Sequence, residues 1–137
     1  MPTLNVLMVD DDPEIRLLVR VLLRMEDIEV SEAGSAIQAF DQLETRGFDV
    51  VILDWMMPVT SGIDVLRWIR SRDELAGVRV VMLTGISEDR LPEAVEAGAD
   101  WVVTKPFDVD DLLAALDAVR APAFAGSATS RSVALPR

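Results

Sequence analysis

Val50-Val51-Ile52-Leu53-Asp54 decides how this chain folds. Four apolar residues in succession, three of them β-branched, suit a strand buried on both faces of a parallel sheet. The run closes on a carboxylate. Trp55-Met56-Met57-Pro58 cannot extend it as a central strand, because proline donates no ladder hydrogen bond. Asp54 is therefore expected at the C-terminal end of a central strand, the edge where open α/β sheets bind ligands. Taken alone it is equally a turn residue, and the other strand ends decide between the two.

Working outward, residues 4–9 are an apolar run broken by Asn5 and read as the first strand. Asp10-Asp11-Asp12-Pro13 follows. Proline suits the first helical position and Asp12 the N-cap, which leaves Asp10 and Asp11 without a structural task. Ile15, Leu18, Val19 and Leu22 recur at helical spacing. A short strand over 28–31 leads to Ser35 and Gln38, spaced as a capping box, with Ile37, Phe40 and Leu43 as the apolar side of the second helix and Gly47 as its stop. Beyond Asp54, Ser61 and Asp64 open a third helix that turns Val65, Leu66 and Ile69 inward and Arg67, Arg70 and Arg72 mostly outward.

Residues 78–83 form the next strand, ending at Thr84-Gly85. The stretch 87–97 is a weak helix whose Pro92 argues for a late start, and Gly98 ends it. Residues 101–104 are the fifth strand, closed by Lys105-Pro106. Asp108 caps a last helix with Val109, Leu112, Leu113, Leu116 and Val119 as its stripe. Five strands alternating with five helices predict an α/β domain, a parallel sheet covered on both faces, over residues 1–120. Ala, Ser, Gly and Pro dominate 121–137, expected to be a flexible tail or the start of a linker.

Composition narrows the chemistry. The 137 residues suit one domain. There is no cysteine and no histidine, which removes thiol chemistry, Ser-His nucleophile pairs and an autophosphorylating histidine. A net charge of -11 argues against direct nucleic-acid binding and favours cations and basic or apolar partner surfaces. No stretch matches a membrane span or a signal peptide, so a cytoplasmic protein is expected.

The strand ends carry Asp10 and Asp11, Asp54, Thr84 and Lys105, all on one edge of a parallel sheet. Converging carboxylates repel unless positive charge lies between them. Lys105 supplies one charge, and a hard divalent cation such as magnesium supplies the rest. A metal, an acceptor carboxylate, a hydroxyl and a lysine make a phosphoryl-transfer site in which Asp54 attacks phosphorus and Lys105 and Thr84 hold the phosphoryl oxygens. Trp55, Trp68 and Trp101 are assigned to packing and Met56, Met57 and Met82 to gap-filling.

Val-Asp10-Asp11-Asp12-Pro, Leu-Asp54-Trp-Met-Met-Pro58 with Gly62, Leu-Thr84-Gly85, and Gly98-Ala99-Asp100 leading to Lys105-Pro106-Phe107 together resemble the receiver domain of two-component response regulators, over about residues 4–120. The resemblance implies a flavodoxin-like, doubly wound fold with strand order 2-1-3-4-5. It implies Asp54 as phosphoacceptor, Asp11 and Asp54 as direct magnesium ligands, Asp10 as a ligand through water and the Met56 carbonyl as a further ligand. Thr84 and Lys105 become the switch hydroxyl and the phosphate-pairing lysine. The implied partners are a histidine kinase or phosphotransfer protein, and a downstream protein engaged through the fourth helix, fifth strand and fifth helix; homodimerisation stays open. One position departs: the family's aromatic three residues before the lysine is Val102 here, so a muted switch is expected, strengthened by Val102→Tyr.

Two further classes compete. A phosphorylation-independent binding module on the same fold would need none of the acid cluster. Among enzymes, a flavodoxin would have its flavin phosphate repelled by the aspartates, and a dehalogenase-type phosphatase would want an acid where Met56 stands. Met56 and Ile86, two beyond Asp54 and Thr84, offer no group to orient water, so slow loss of the phosphoryl group is expected.

Overall fold

A computed structural model describes residues 4–85 and 90–120 and the backbone of 133–134. The strands are β1 (Asn5–Val9), β2 (Glu29–Ala33), β3 (Val50–Asp54), β4 (Arg79–Thr84) and β5 (Trp101–Thr104), joined in one parallel sheet of order β2-β1-β3-β4-β5. The helices between and after them are α1 (Pro13–Arg24), α2 (Ala36–Thr45), α3 (Gly62–Ser71), α4 (Leu91–Ala97) and α5 (Val109–Arg120). This is the doubly wound α/β architecture expected. A sixth strand, β6 (Val133–Ala134), pairs antiparallel with Trp101 and Val102 of β5. It falls within the stretch expected to be a tail.

Every residue of β3 is buried, which is why its sequence runs apolar rather than alternating. Val51 and Leu53 pack with α2, α3 and α4, while Val50 and Ile52 pack with α1 and α5. The period of two along each strand thus divides one apolar run between two cores. Trp55 and Trp101 are fully buried and Trp68 stacks on Phe40 at 4.4 Å, so all three tryptophans pack.

The helix ends obey local chemistry. Asp12 Oδ1 accepts from the Glu14 N–H at 2.9 Å, and Pro13 opens α1. Ser35 Oγ accepts from Gln38 N–H at 3.2 Å, but Gln38 Oε1 reaches back to Gly34 N–H at 2.7 Å instead of to the cap residue. Asp108 and Asp111 close α5 reciprocally, each accepting from the other's backbone N–H, at 3.0 and 2.9 Å. Helix α4 begins at Leu91 with Pro92 in its first turn, the late start anticipated; the earlier start considered at Ser87 lies outside the described residues.

Four expectations are corrected. Leu18 and Ile37 do not face the core; they are 45 % and 78 % exposed. Val19 with Leu23, and Ala36 with Ala39 and Leu43, are the residues that α1 and α2 bury, because the way each helix lies on the sheet decides which part of its apolar stripe is covered. Gly47 is not a left-handed cap: α2 stops at an extended Arg46. Arg70 is not a solvated outward residue. Its Nη2 donates to Asp100 at 2.7 Å, its Nε to the Gly98 carbonyl at 3.0 Å and its Nη1 to the Val78 carbonyl at 2.7 Å. Gly98, at φ 101, ends α4, and a Cβ there would strike the Arg70 side chain.

Candidate functional site

The parallel register brings the carboxyl ends of β1, β3, β4 and β5 to one edge. Val9 pairs with Leu53, Asp54 with Leu83, and Thr84 with Thr104. Asp10, Asp54, Thr84 and Lys105 therefore arrive together although each belongs to a different strand end. Asp10, Asp11 and Asp54 offer carboxylate oxygens all within 4.8 Å of one another. Lys105 Nζ donates to Asp54 Oδ1 at 3.0 Å and lies 3.9 Å from Asp10 Oδ2. Thr84 is buried at the end of β4, and its carbonyl accepts from the Lys105 N–H at 2.8 Å, which ties the two loops together.

Burial sets the electrostatics. It pushes the Asp10 carboxyl up from 3.8 to about 6; the charges on Asp54 and Asp11 add to the rise, and the Asp12 N–H and Lys105 oppose it. The Asp54 carboxyl is also raised, again by burial first and by Asp11 second among the raising influences, against the Lys105 hydrogen bond and the Met56 N–H. Asp10 Oδ1 accepts from Asp12 N–H at 2.9 Å, while Oδ2 is buried with no hydrogen bond among the described residues. An orphaned carboxylate oxygen beside two more carboxylates fits a hard, oxygen-seeking cation, since buried acceptors are otherwise satisfied.

The loop after Asp54 is drawn back onto the strand. Gly62 N–H donates to the Trp55 carbonyl at 2.8 Å, and a Cβ at Gly62 would collide with the Asp54 carbonyl. Only glycine allows that approach. Met56 sits in this loop with its side chain 65 % exposed, so it does not fill a gap in the core; Met57 and Met82 do pack there. Ile86, the other residue weighed for water access, lies outside the described residues. Val102 is wholly buried on the α4 side, with Trp101 on the opposite face. A tyrosine at 102 would overpack that core before it could act as a switch.

Two arginines escaped the sequence reading. Arg16 Nη1 donates to the Asp10 carbonyl at 2.7 Å while its Nε pairs with Glu32 at 3.1 Å, bracing the acid loop. Arg90, at the start of α4, lies 5.3 Å from the Trp55 ring centroid and pairs with Glu93 at 2.9 Å. The signal for Arg16 was available: it stands four residues after the Asp12 cap, one turn into α1. The Glu93 pair is local, three residues on, but nothing in the sequence marks the contact of Arg90 with the distant Trp55.

Many doubly wound sheets offer this edge to a phosphate through glycines and helix N-termini. Here it offers clustered carboxylates and one lysine, a set suited to a cation and repellent to the bare phosphate of a nucleotide or flavin. The chain belongs to the response regulator receiver domain family, whose model matches residues 6–117. It is 41% identical over 117 residues to the phosphate regulon transcriptional regulatory protein PhoB of Pseudomonas aeruginosa, covering 84% of this chain and 51% of that protein. It is 35% identical over 118 residues to chemotaxis protein CheY-3 of Vibrio cholerae, covering 85% and 91%. The solved structure of Vibrio cholerae CheY4 superposes with a TM-score of 0.82 at 31% identity, covering 86% of this chain and 99% of that one. The chain spans about half the length of the PhoB relatives. Receiver domains are signalling domains of two-component systems that interact with histidine kinases and downstream effectors. Among the described residues, no helix is long and apolar enough to cross a membrane.

Proposed function

We propose that this domain is a phosphorylation-dependent switch whose acceptor is Asp54. The observation that carries the reading is the 3.0 Å contact of Lys105 Nζ with Asp54 Oδ1 inside a three-aspartate cluster. An oxygen of Asp54 attacks the phosphorus of a phosphohistidine on a kinase or phosphotransfer protein. The P–O bond forms as the donor's P–N bond breaks, and the imidazole leaves with the electron pair and takes up a proton. Lys105 is already beside the acceptor, so its ammonium needs little movement to pair with the phosphoryl oxygens. Thr84 supplies a hydroxyl that donates to one of them. Asp10, Asp11, Asp54 and the Met56 carbonyl would hold a divalent cation, which when bound supplies positive charge to the transferring group. The changed state is passed to a downstream protein through the face of α4, β5 and α5.

The test is intact-mass measurement with acetyl phosphate and magnesium. One phosphate is expected per chain, and none in excess chelator, because two further negative charges cannot enter this cluster uncompensated. Labelling that ignores the chelator would overturn the metal-dependent site. Val102 favours one rival, a binding module indifferent to phosphate. That rival requires partner affinity to be equal with and without beryllofluoride.

Metal should also stabilise the unphosphorylated protein, and more so at higher pH. The folded Asp10 carboxyl titrates near 6 and its unfolded counterpart near 3.8, so the fold binds the extra proton. Its contribution is complete below pH 3.8 and is lost as pH rises through about 6, leaving ionised, crowded carboxylates that a cation relieves. Magnesium at tenfold saturation is worth about 1.4 kcal/mol, or roughly 3–6 °C in Tm. That gain is expected at pH 7.5, with much less at pH 5 and in Asp11→Ala. Melts unchanged by magnesium at pH 7.5 would refute the cation site.

A further inference from the structure

The two edges of the parallel sheet are built differently. β2, at one edge, carries Glu29 and Glu32, charged residues of the kind that keep an edge strand from recruiting another chain. β5, the last of the parallel strands, reads Trp101-Val102-Val103-Thr104, with neither a charge nor a proline. Such an edge invites a further strand, and the chain supplies one. Val133 and Ala134 of β6 lie antiparallel to β5, Val133 opposite Val102 and Ala134 opposite Trp101.

The ladder shows which groups are open to that strand. Leu83 faces β3, since its carbonyl takes the Trp55 N–H at 3.2 Å. Met82 and Thr84 therefore face β5, and the Thr84 carbonyl takes the Lys105 N–H at 2.8 Å. Met82 stands opposite Val102, so in a parallel ladder it bonds Trp101 and Val103 on either side. That leaves the N–H and carbonyl of Val102 pointing to the open edge. Val133, directly opposite, is placed to exchange both bonds with Val102, while the Ala134 N–H turns away. Residues 121–132 join α5 to β6. A chain of that length reaches at most about 40 Å, at ~3.3–3.6 Å per residue, ample for a return to the strand on which α5 packs. Arg131 and Arg137 are the only charges among residues 121–137, in a chain of net charge -11, so attraction favours the return. We infer that the outer edge of β5 is a strand-docking site for extended peptide, and that its resident occupant is the chain's own residues 133–134, held by the backbone of Val102. Being on one chain makes the pairing intramolecular, which lets so short a strand hold. The edge belongs to the face assigned above to the downstream protein, and the docking site stands whether or not Asp54 accepts phosphate.

The test reads amide exchange and chemical shifts by NMR on the full chain as wild type, Val133→Pro and Ala134→Pro. Proline at 133 removes the N–H that the Val102 carbonyl takes, whereas proline at 134 removes one that faces away, which an edge strand tolerates. Both positions lie outside the five parallel strands and their helices, so folding is retained. The Val102 amide is expected to exchange at least ~fivefold faster in Val133→Pro, the worth of about one net hydrogen bond, and at the wild-type rate in Ala134→Pro. A synthetic peptide of residues 129–137 at several millimolar, about the effective concentration of a tethered segment, is expected to shift the Val102 signal in Val133→Pro. In wild type, where the edge is filled, the same peptide is expected to leave that signal in place. Equal Val102 exchange in all three chains, or exchange raised as much by Ala134→Pro as by Val133→Pro, overturns the assigned pairing. A peptide that moves Val102 equally in wild type and Val133→Pro shows an unfilled edge, and one that moves it in neither shows no docking site; each overturns the inference. None of these results bears on Asp54 as acceptor.

Discussion

Asp54→Asn is expected to abolish phosphoryl incorporation without unfolding the protein. Asparagine keeps the shape and one carbonyl oxygen, so the 3.0 Å hydrogen bond from Lys105 Nζ survives. What disappears is the anionic oxygen that bonds to phosphorus. Removing a covalent nucleophile elsewhere costs up to about 10⁶-fold in rate, which here reads as no mass shift from acetyl phosphate. Stability should move the other way. The Asp54 carboxyl is held up by burial and by the charge on Asp11, so replacing it with a neutral group removes repulsion from the metal-free fold. The variant should therefore melt no lower than wild type in chelator and gain less from magnesium. A phosphate that survives the substitution would move the acceptor elsewhere. A large loss of stability would show that the charge itself holds the loops.

Arg70→Ala should be the most destabilising of the surface-accessible substitutions. Asp100 is fully buried, and Arg70 neutralises it at 2.7 Å while fastening the carbonyls of Val78 and Gly98. Removing one partner of a buried pair leaves an uncompensated charge at a cost of about 3–5 kcal/mol. Arg79 remains 3.6 Å from Asp100 and the Val80 N–H still donates to it at 2.8 Å, so about 3 kcal/mol is expected. Against a total of about 5–15 kcal/mol this is a large share, and it should lower Tm by roughly 10 °C or more. Arg79→Ala, which removes the longer and more exposed contact, should cost less than about 1 kcal/mol. Urea denaturation of the two variants separates them, and equal costs would refute the clamp. The same clamp fixes the turn between α4 and β5, so Arg70→Ala should also loosen the face proposed to carry the signal.

How much of this was legible in the sequence depends on the reach of each interaction. The apolar run of β3, the caps at Asp12 and Ser61, and the stop at Gly98 are local. Each is settled by a backbone group's need for a partner within three or four residues, or by the period of a strand. Because parallel strands end at one edge, those local readings were enough to bring Asp10, Asp11, Asp54, Thr84 and Lys105 together before any coordinates. Contacts across the sheet were not legible. Arg70 meets Asp100 across 30 residues, a separation at which sequence gives the charges but not the pairing. Leu18 and Ile37 fit the helical period yet face solvent, because which part of an apolar stripe is buried depends on how each helix lies on the sheet. The sequence by itself determined the α/β layering and the acidic edge, since both follow from periodicity and chain order. Only tertiary packing decided which Asp10 oxygen is left without a hydrogen bond among the described residues, because burial is a property of the assembled fold.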